Sequence, residues 1–376
     1  MDESSSARVA SRRPLLWALA LWLVALGSLA GLMGWSVWRE RSFQPACSRE
    51  PLPKPNGWDR LTAALDVAAA REKGPPPKYA EHLRVDADIL PAVDEALALP
   101  IEAPRDPSAQ QVLTTVILRL REQAEALRGG GQPIRAAEAY ARQVRLGLAL
   151  NQGHNFDLAC RGLSLAAVAI DDLPAGTPDA DRRLRSLEES LSKLPSPRAV
   201  WERCAPYMAA GSMAGGRWQD QIWGFLGPAP AERYERHLAS LRRLTVLLDQ
   251  PPTRWPRTAP SPSLDALAAM QARGYLCDLA SVRVALAALA LRAYHSQQKR
   301  WPDRLDALVP RHLKAVPIDP CTGEALHYCL DDGQPRCWAV GGDLRDDGGV
   351  PTDITVPDPA GDIVWPEPKR LNEEQP

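Results

Sequence analysis

Seven cysteines and one compact His/Asp pair are the residues whose types and spacing bear first on chemistry. Cys47, Cys160, Cys204, Cys277, Cys321, Cys329 and Cys337 contain no Cys-x-x-Cys pair, which argues against a zinc ribbon or a thioredoxin-like dithiol. Cys329 and Cys337 flank Asp331-Asp332-Gly333, a hairpin-turn signal. A disulfide across that hairpin is therefore expected in an oxidising compartment, with Cys321 as the rival partner. His327 lies beside them and leaves a Cys/His metal site as a further reading, while the odd count leaves at least one thiol free or intermolecular. His154 and Asp157 follow Gly153 at an expected helix start, where a cap and an acid complementing the helix dipole account for them without catalysis. The chain has no G-x-S-x-G, no H-E-x-x-H, no phosphate-binding glycine loop and no dinucleotide fingerprint. No catalytic residue is assigned, and a non-enzymatic role is expected.

The first element that must position anything is an apolar one. No charged residue lies between Arg13 and Arg39, and the run from Pro14 to Trp38 is PLLWALALWLVALGSLAGLMGWSVW. As a helix at about 1.5 Å per residue it measures roughly 37 Å, enough to cross a hydrocarbon core of about 30 Å with some tilt. Trp35 and Trp38 stand at its far end, where indole rings favour the headgroup zone. Arg8, Arg12 and Arg13 precede it and orient the N-terminus toward the cytoplasm, against a weaker pull from Arg39 and Arg41. The competing reading is a cleaved signal peptide, with Ser28-Leu29-Ala30 offering the small residues a signal peptidase needs. The apolar run continues eight residues past Ala30, longer than an export signal requires. Both readings export the remainder.

The middle of the chain is expected to be helical. Leu113, Val116, Leu120, Ala124 and Leu127 share one face of a helix that Ser108 caps and Gly129-Gly130-Gly131 stops. Tyr140, Val144 and Leu148 mark the next helix, a third runs from about Phe156 to Ile170, and Leu184, Leu187, Leu191 and Leu194 mark another. Tyr234, Leu238, Leu241, Thr245 and Leu248 do the same before Pro251-Pro252. One apolar stripe per helix predicts antiparallel helical hairpins and a partner-binding or spacer role. No repeat period stands out. With 45 basic against 46 acidic residues, the chain has no global field for collecting nucleic acid. The 36 prolines fall between helical stretches and in the tail, as punctuation.

After the Pro/Ser-rich stretch PPTRWPRTAPSPS, a helix is expected over about Leu264 to Gln297, with Leu279, Val282, Leu286, Leu289 and Ala293 on one stripe. A short helix opened by Trp301-Pro302-Asp303 and ended at Val309-Pro310 comes next. It is followed by a turn at Cys321-Thr322-Gly323 and two β-like runs, ALHYCL and RCWAVGG. This string, ALAALALRAYHSQQKRWPDRLDALVPRHLKAVPIDPCTGEALHYCL, then WAVGGDLRDDGG and a closing Gly361-Asp362-Ile363, resembles the C-terminal part of type II secretion pseudopilins of the major G class. It covers about the last 100 residues. The resemblance implies a helix packed on a small antiparallel sheet, with calcium pinning the last loop. Carried over by position, Asp343 and Asp362 would be ligands, with Asp346 and Asp347 in reserve, and an Asp/Gly-rich loop supplies the hard oxygens calcium prefers. A solvated turn whose Asp side chains satisfy local N–H groups is the alternative. Pseudopilins open with a basic leader, a Gly-Phe cleavage site and a glutamate ahead of the apolar helix; nothing around Pro14 to Trp38 has that form. A borrowed module, not a filament subunit, is expected.

Glu188-Glu189-Ser190 resembles the glutamate-serine of helical lytic transglycosylases, but it lies in the Leu-striped helix and no Gly-Leu-Met-Gln follows. The fold expected is mainly α, with α+β at the C-terminus. Its parts are a cytoplasmic N-terminus at 1–13, a transmembrane helix at 14–38, a linker at 39–56, an extracytoplasmic helical domain at 57–250, a Pro-rich linker at 251–263, a pseudopilin-like module at 264–365 and a tail at 366–376. The expected partners are the lipid bilayer, through the N-terminal helix, and an envelope protein of unknown identity, with no nucleic acid. The expected address is a bacterial inner membrane, single-pass, with the bulk of the chain periplasmic. The expected role is structural or partner-binding, with a link to type II secretion. An envelope hydrolase using dispersed residues such as His154, Asp157 and Glu189 is the alternative.

Overall fold

A computed structural model describes residues 13–49, 51–71, 89–104, 108–177, 179–214, 228–255, 264–352 and 360–366. The described residues are mainly helical, with ten helices among them, a three-stranded antiparallel sheet toward the C-terminal end and an apolar helix near the N-terminus. In order the helices are α1 (Arg13–Ser42), α2 (Gly57–Arg71), α3 (Leu90–Leu97), α4 (Ser108–Gly129), α5 (Pro133–Ala149), α6 (Phe156–Asp171), α7 (Ala180–Ser192), α8 (Pro197–Ala214), α9 (Pro230–Thr245) and α10 (Leu264–Gln298). The strands β1 (His327–Asp331), β2 (Gln334–Ala339) and β3 (Ile363–Trp365) follow. Two compact units result, one from the described residues of 1–50 and 209–238, the other from those of 51–208 and 239–376.

In the first unit, α1 runs four residues past the expected end at Trp38, through Ser42. Its apolar side chains from Leu21 onward face outward, Leu21 being 69% and Val24 66% exposed. At its C-terminal end the Arg39 guanidinium sits 4.8 Å from the Trp35 ring. The beginning of α9 meets this end of α1: Arg233 pairs with Glu40, the Tyr234 ring lies 5.9 Å from that of Phe43, and the Tyr234 hydroxyl lies 3.9 Å from Cys47 Sγ.

In the second unit, α4, α5 and α6 pack as successive hairpins. Trp58, Val93, Leu113, Leu120, Leu146 and Leu158 meet in one core. The α5–α6 crossing is closest at Gly147 and Gly162, where an added Cβ on either would lie 2.3 Å from the facing carbonyl oxygen. Helix α10 packs along α6 and also against β2 and β3. Two partners on different sides explain why burial on α10 exceeds the expected single stripe: Val284, Ala287, Ala288 and Leu291 are buried along with Leu279, Val282, Leu286, Leu289 and Ala293. The helical middle up to residue 208 and the C-terminal segment therefore share one compact unit, while 209–238 of that middle fall in the other, so the division lies inside the expected helical domain and not at the linker 251–263. Residues 256–263 of that linker and 367–376 of the tail lie outside the described residues.

The hairpin forms where the Asp-Gly signal puts it, with Asp332 at φ 50° and Gly333 at φ 76°. Strand order is β1-β2-β3, and Trp338 of β2 faces His327 on one side and Val364 on the other. The short helix expected after Trp301 is a 3₁₀ turn over Leu305–Leu308.

Candidate functional site

The register settles one expected pair. Cys329 lies opposite Arg336, and Cys337 opposite Tyr328. Directly opposed residues share a face and neighbours alternate, so the Cys329 and Cys337 side chains point to opposite faces of the sheet. The expected bridge between them is corrected: no side-chain rotation joins sulfurs across a sheet. No disulfide joins any of the seven cysteines in the structure, and burial pushes the Cys337 thiol up to about 12.

Of the residues expected to hold calcium, three take N–H donors. Asp362 is almost fully buried, and its Oδ2 accepts the Asp347 N–H at 3.1 Å and the Gly349 N–H at 2.8 Å. Asp346 Oδ1 accepts from Trp338 Nε1 at 2.9 Å and from the Gly348 N–H at 3.0 Å, and the Trp338 bond holds its carboxyl below the usual range. Asp343 turns onto its own backbone, accepting the Arg345 N–H at 3.1 Å. Among the described residues no group of three or more His, Cys, Asp or Glu is placed to hold a metal ion. Burial, and after it the charges of Asp346 and Asp347, push the Asp362 carboxyl up, while its Oδ1 is buried without a hydrogen-bond partner. His327 stacks on Trp338 with centroids 5.2 Å apart, and its Nδ1 lies 3.5 Å from Asp346 Oδ2.

The residues named for a hydrolase do not converge. The His154 backbone N–H donates to Glu102 Oε1 at 3.0 Å, its Nδ1 lies 3.1 Å from Glu102 Oε2, and its ring lies 4.8 Å from that of Tyr207. Glu189 is exposed on α7 and pairs with Lys193 at 2.7 Å. Glu188 accepts the Lys314 N–H at 2.7 Å. Asp157 faces a cleft.

That cleft has a volume of about 380 Å³, and three helices line it. On α6, Asp157, Cys160, Arg161 and Ser164 recur at three- and four-residue spacing and so share a face. Asn155 starts this helix by accepting the Leu158 N–H at 3.2 Å, which leaves Asp157 in the first turn where its charge suits the dipole. Gln110 and Thr114 come from α4, and Asp278 comes from α10. Ser164 Oγ donates to Asp278 Oδ1 at 2.7 Å; its other acceptor within reach is the Cys160 carbonyl at 3.3 Å. Burial pushes the Asp278 carboxyl up to about 6, against the opposing pull of the Ser164 hydroxyl and the Arg161 charge. Burial and the nearby charges of Asp278 and Asp157 push the Cys160 thiol far up, so it stands as a neutral thiol and no nucleophile.

A carboxyl titrating near neutrality beside a hydroxyl and a guanidinium can exchange a proton with a polar ligand. No imidazole stands between Ser164 and Asp278 to activate the hydroxyl. Of the cleft, sequence reasoning picks out Asp157, and Cys160 only as one of seven cysteines. A signal for Asp278 was present: past Asp265 it is the one acid on α10, whose surrounding residues are mostly apolar. No family model, no curated protein and no solved structure matches the chain.

Proposed function

We propose that the chain is a single-pass protein of the bacterial inner membrane, held by α1, with its bulk exported and serving a structural or partner-binding role in the envelope. One observation carries the reading. Among the described residues two helices are long and apolar enough to span a bilayer, yet the apolar window of α1 is 6% buried and that of α10 is 72% buried. A helix that shows Leu21, Trp22, Leu23 and Val24 to its surroundings is unfavourable in water and favourable in hydrocarbon. The order of long helix, turn, hairpin and third strand supports kinship of the C-terminal part with G-class pseudopilin modules, and through it a link to type II secretion. Full-length protein expressed in a bacterium and fractionated is expected in membranes, resistant to alkaline carbonate, with Met1 or Asp2 as its first residue. A shortened N-terminus near Ala30 would mean a cleaved signal, and full-length protein in the cytosol with all thiols reduced would overturn the reading.

A second reading, an envelope hydrolase, rests on the raised Asp278 carboxyl in its cleft. If purified full-length protein releases fragments from murein and Asp278→Asn abolishes the release, this reading replaces the first. No release from the unaltered chain removes it.

A further inference from the structure

The turn after Ile318 is tied down from several sides. Asp319 is fully buried; its Oδ1 accepts the Cys321 N–H at 2.7 Å and its Oδ2 the Val340 N–H at 3.0 Å. Its own N–H donates to Glu324 O, and the Gly323 N–H returns to Asp319 O, both at 2.8 Å. From α10, Arg283 donates to the Ile318 carbonyl. From the segment before α10, the Thr253 hydroxyl donates to the Cys321 carbonyl at 3.2 Å. These bonds hold the fully buried Cys321 thiol in hydrogen-bonding contact with that of Cys277 on α10, which is half-buried.

We propose that Cys277 and Cys321 close a disulfide when the chain enters an oxidising compartment, fastening the turn covalently to α10. The proposal rests on the export reading above for its oxidant and on the contact alone for its choice of pair. The two thiols meet side chain to side chain, one on α10 and one in the pinned turn, whereas Cys329 and Cys337 are divided by the sheet. The contact also assigns roles. The Cys321 S–H donated to Cys277 lowers the Cys277 thiol from its ordinary value and raises its own. Cys277 is the more accessible of the two, so its thiolate attacks the oxidant, a small-molecule or enzyme disulfide, and expels one thiolate. Cys321 then loses its proton and attacks the Cys277 sulfur in that mixed disulfide, expelling the second. The two protein thiols give up two electrons and two protons, and the oxidant leaves as two thiols.

Full-length protein in detergent is oxidised with glutathione disulfide, alkylated, digested without reduction and mapped by mass spectrometry. The expected result is a linked peptide pair carrying Cys277 and Cys321. Reduction should then lower the thermal midpoint by about 5 °C or more, a drop absent in Cys277→Ala and Cys321→Ala. Recovery of both cysteines singly alkylated, or a dominant link between other cysteines, overturns the proposal. So does protein from the membrane fraction of acid-quenched cells with both thiols reduced. A bridge that forms in the tube while the cellular chain stays cytosolic sinks the export reading and leaves the pair standing.

Discussion

A buried carboxyl records its surroundings in its protonation, and two aspartates here can be made to report. Asp278 is raised to about 6, so between the unfolded value near 3.9 and 6 the folded chain holds a proton that the unfolded chain releases. Its contribution is therefore present at low pH and lost as pH rises through that window, the reverse of a salt-bridged acid. Relative to Asp278→Asn, the unaltered protein is expected to lose about 2 kcal/mol between pH 4 and 6.5, read from urea midpoints at each pH. Parallel curves would mean the carboxyl is solvated. Asp362 tests the calcium idea by chemistry. Its Oδ2 receives two N–H bonds and burial pushes its carboxyl up, so an uncharged amide with its oxygen in the place of Oδ2 keeps both bonds. Asp362→Asn should then cost under about 1 kcal/mol, Asp362→Ala about 3 kcal/mol, and a chelator should leave the melting midpoint where it was. A chelator-induced drop that Asp362→Asn abolishes would restore the ion.

At the scale of elements, glycines on helices provide opposite signs for one substitution. Gly147→Ala puts a methyl 2.3 Å from the Gly162 carbonyl oxygen, a contact with backbone that only a separation of α5 from α6 can relieve. Gly274 on α10 has nothing within 4 Å of the same methyl and no positive φ. Denaturant unfolding should show Gly147→Ala less stable by about 2 kcal/mol or more, net of the helix propensity gained, and Gly274→Ala more stable by about 0.5–1 kcal/mol. Equal changes at the two sites would mean that the α5–α6 crossing is looser than described. Elements of this kind were legible where their cause is local: stripes such as Leu113, Val116 and Leu120 run inside one helix, and Asp332-Gly333 makes its own turn. Facing was harder to read. The bridge between Cys329 and Cys337 was expected because both flank the turn, but flanking fixes proximity along the strands and not the face; a two-residue turn pairs Cys329 with Arg336. The cleft was illegible for a different reason. Ser164 and Asp278 are 114 positions apart, and only the packing of α10 on α6 brings them to 2.7 Å, which no local pattern encodes.

For the whole molecule, the question is which apolar helix faces lipid. By composition α1 and α10 are near equals, with mean hydropathy 1.5 and 1.6 over their apolar windows. Their surroundings differ. Helix α10 carries Asp278, Arg283 and Arg292 to protein partners: Ser164 on α6, the Ile318 carbonyl, and the Ile170 carbonyl with Asp171. Burial alone lowers both guanidinium groups from their ordinary values, a cost such bonds offset in a protein core and hydrocarbon would not. Helix α1 carries no charge between Arg13 and Arg39 and buries little of itself. Removing residues 1–42 should therefore release the remaining chain into solution with α10 still packed, giving a monomeric, cooperatively unfolding protein with helical circular dichroism. A periplasm-dependent reporter fused after Pro376 should be active on the full chain and silent on the truncated one. If the truncated chain stays in the membrane pellet with its reporter active, α10 is inserting. The core assigned to it, and the cleft and thiol pair built on that core, would then have to be given up together.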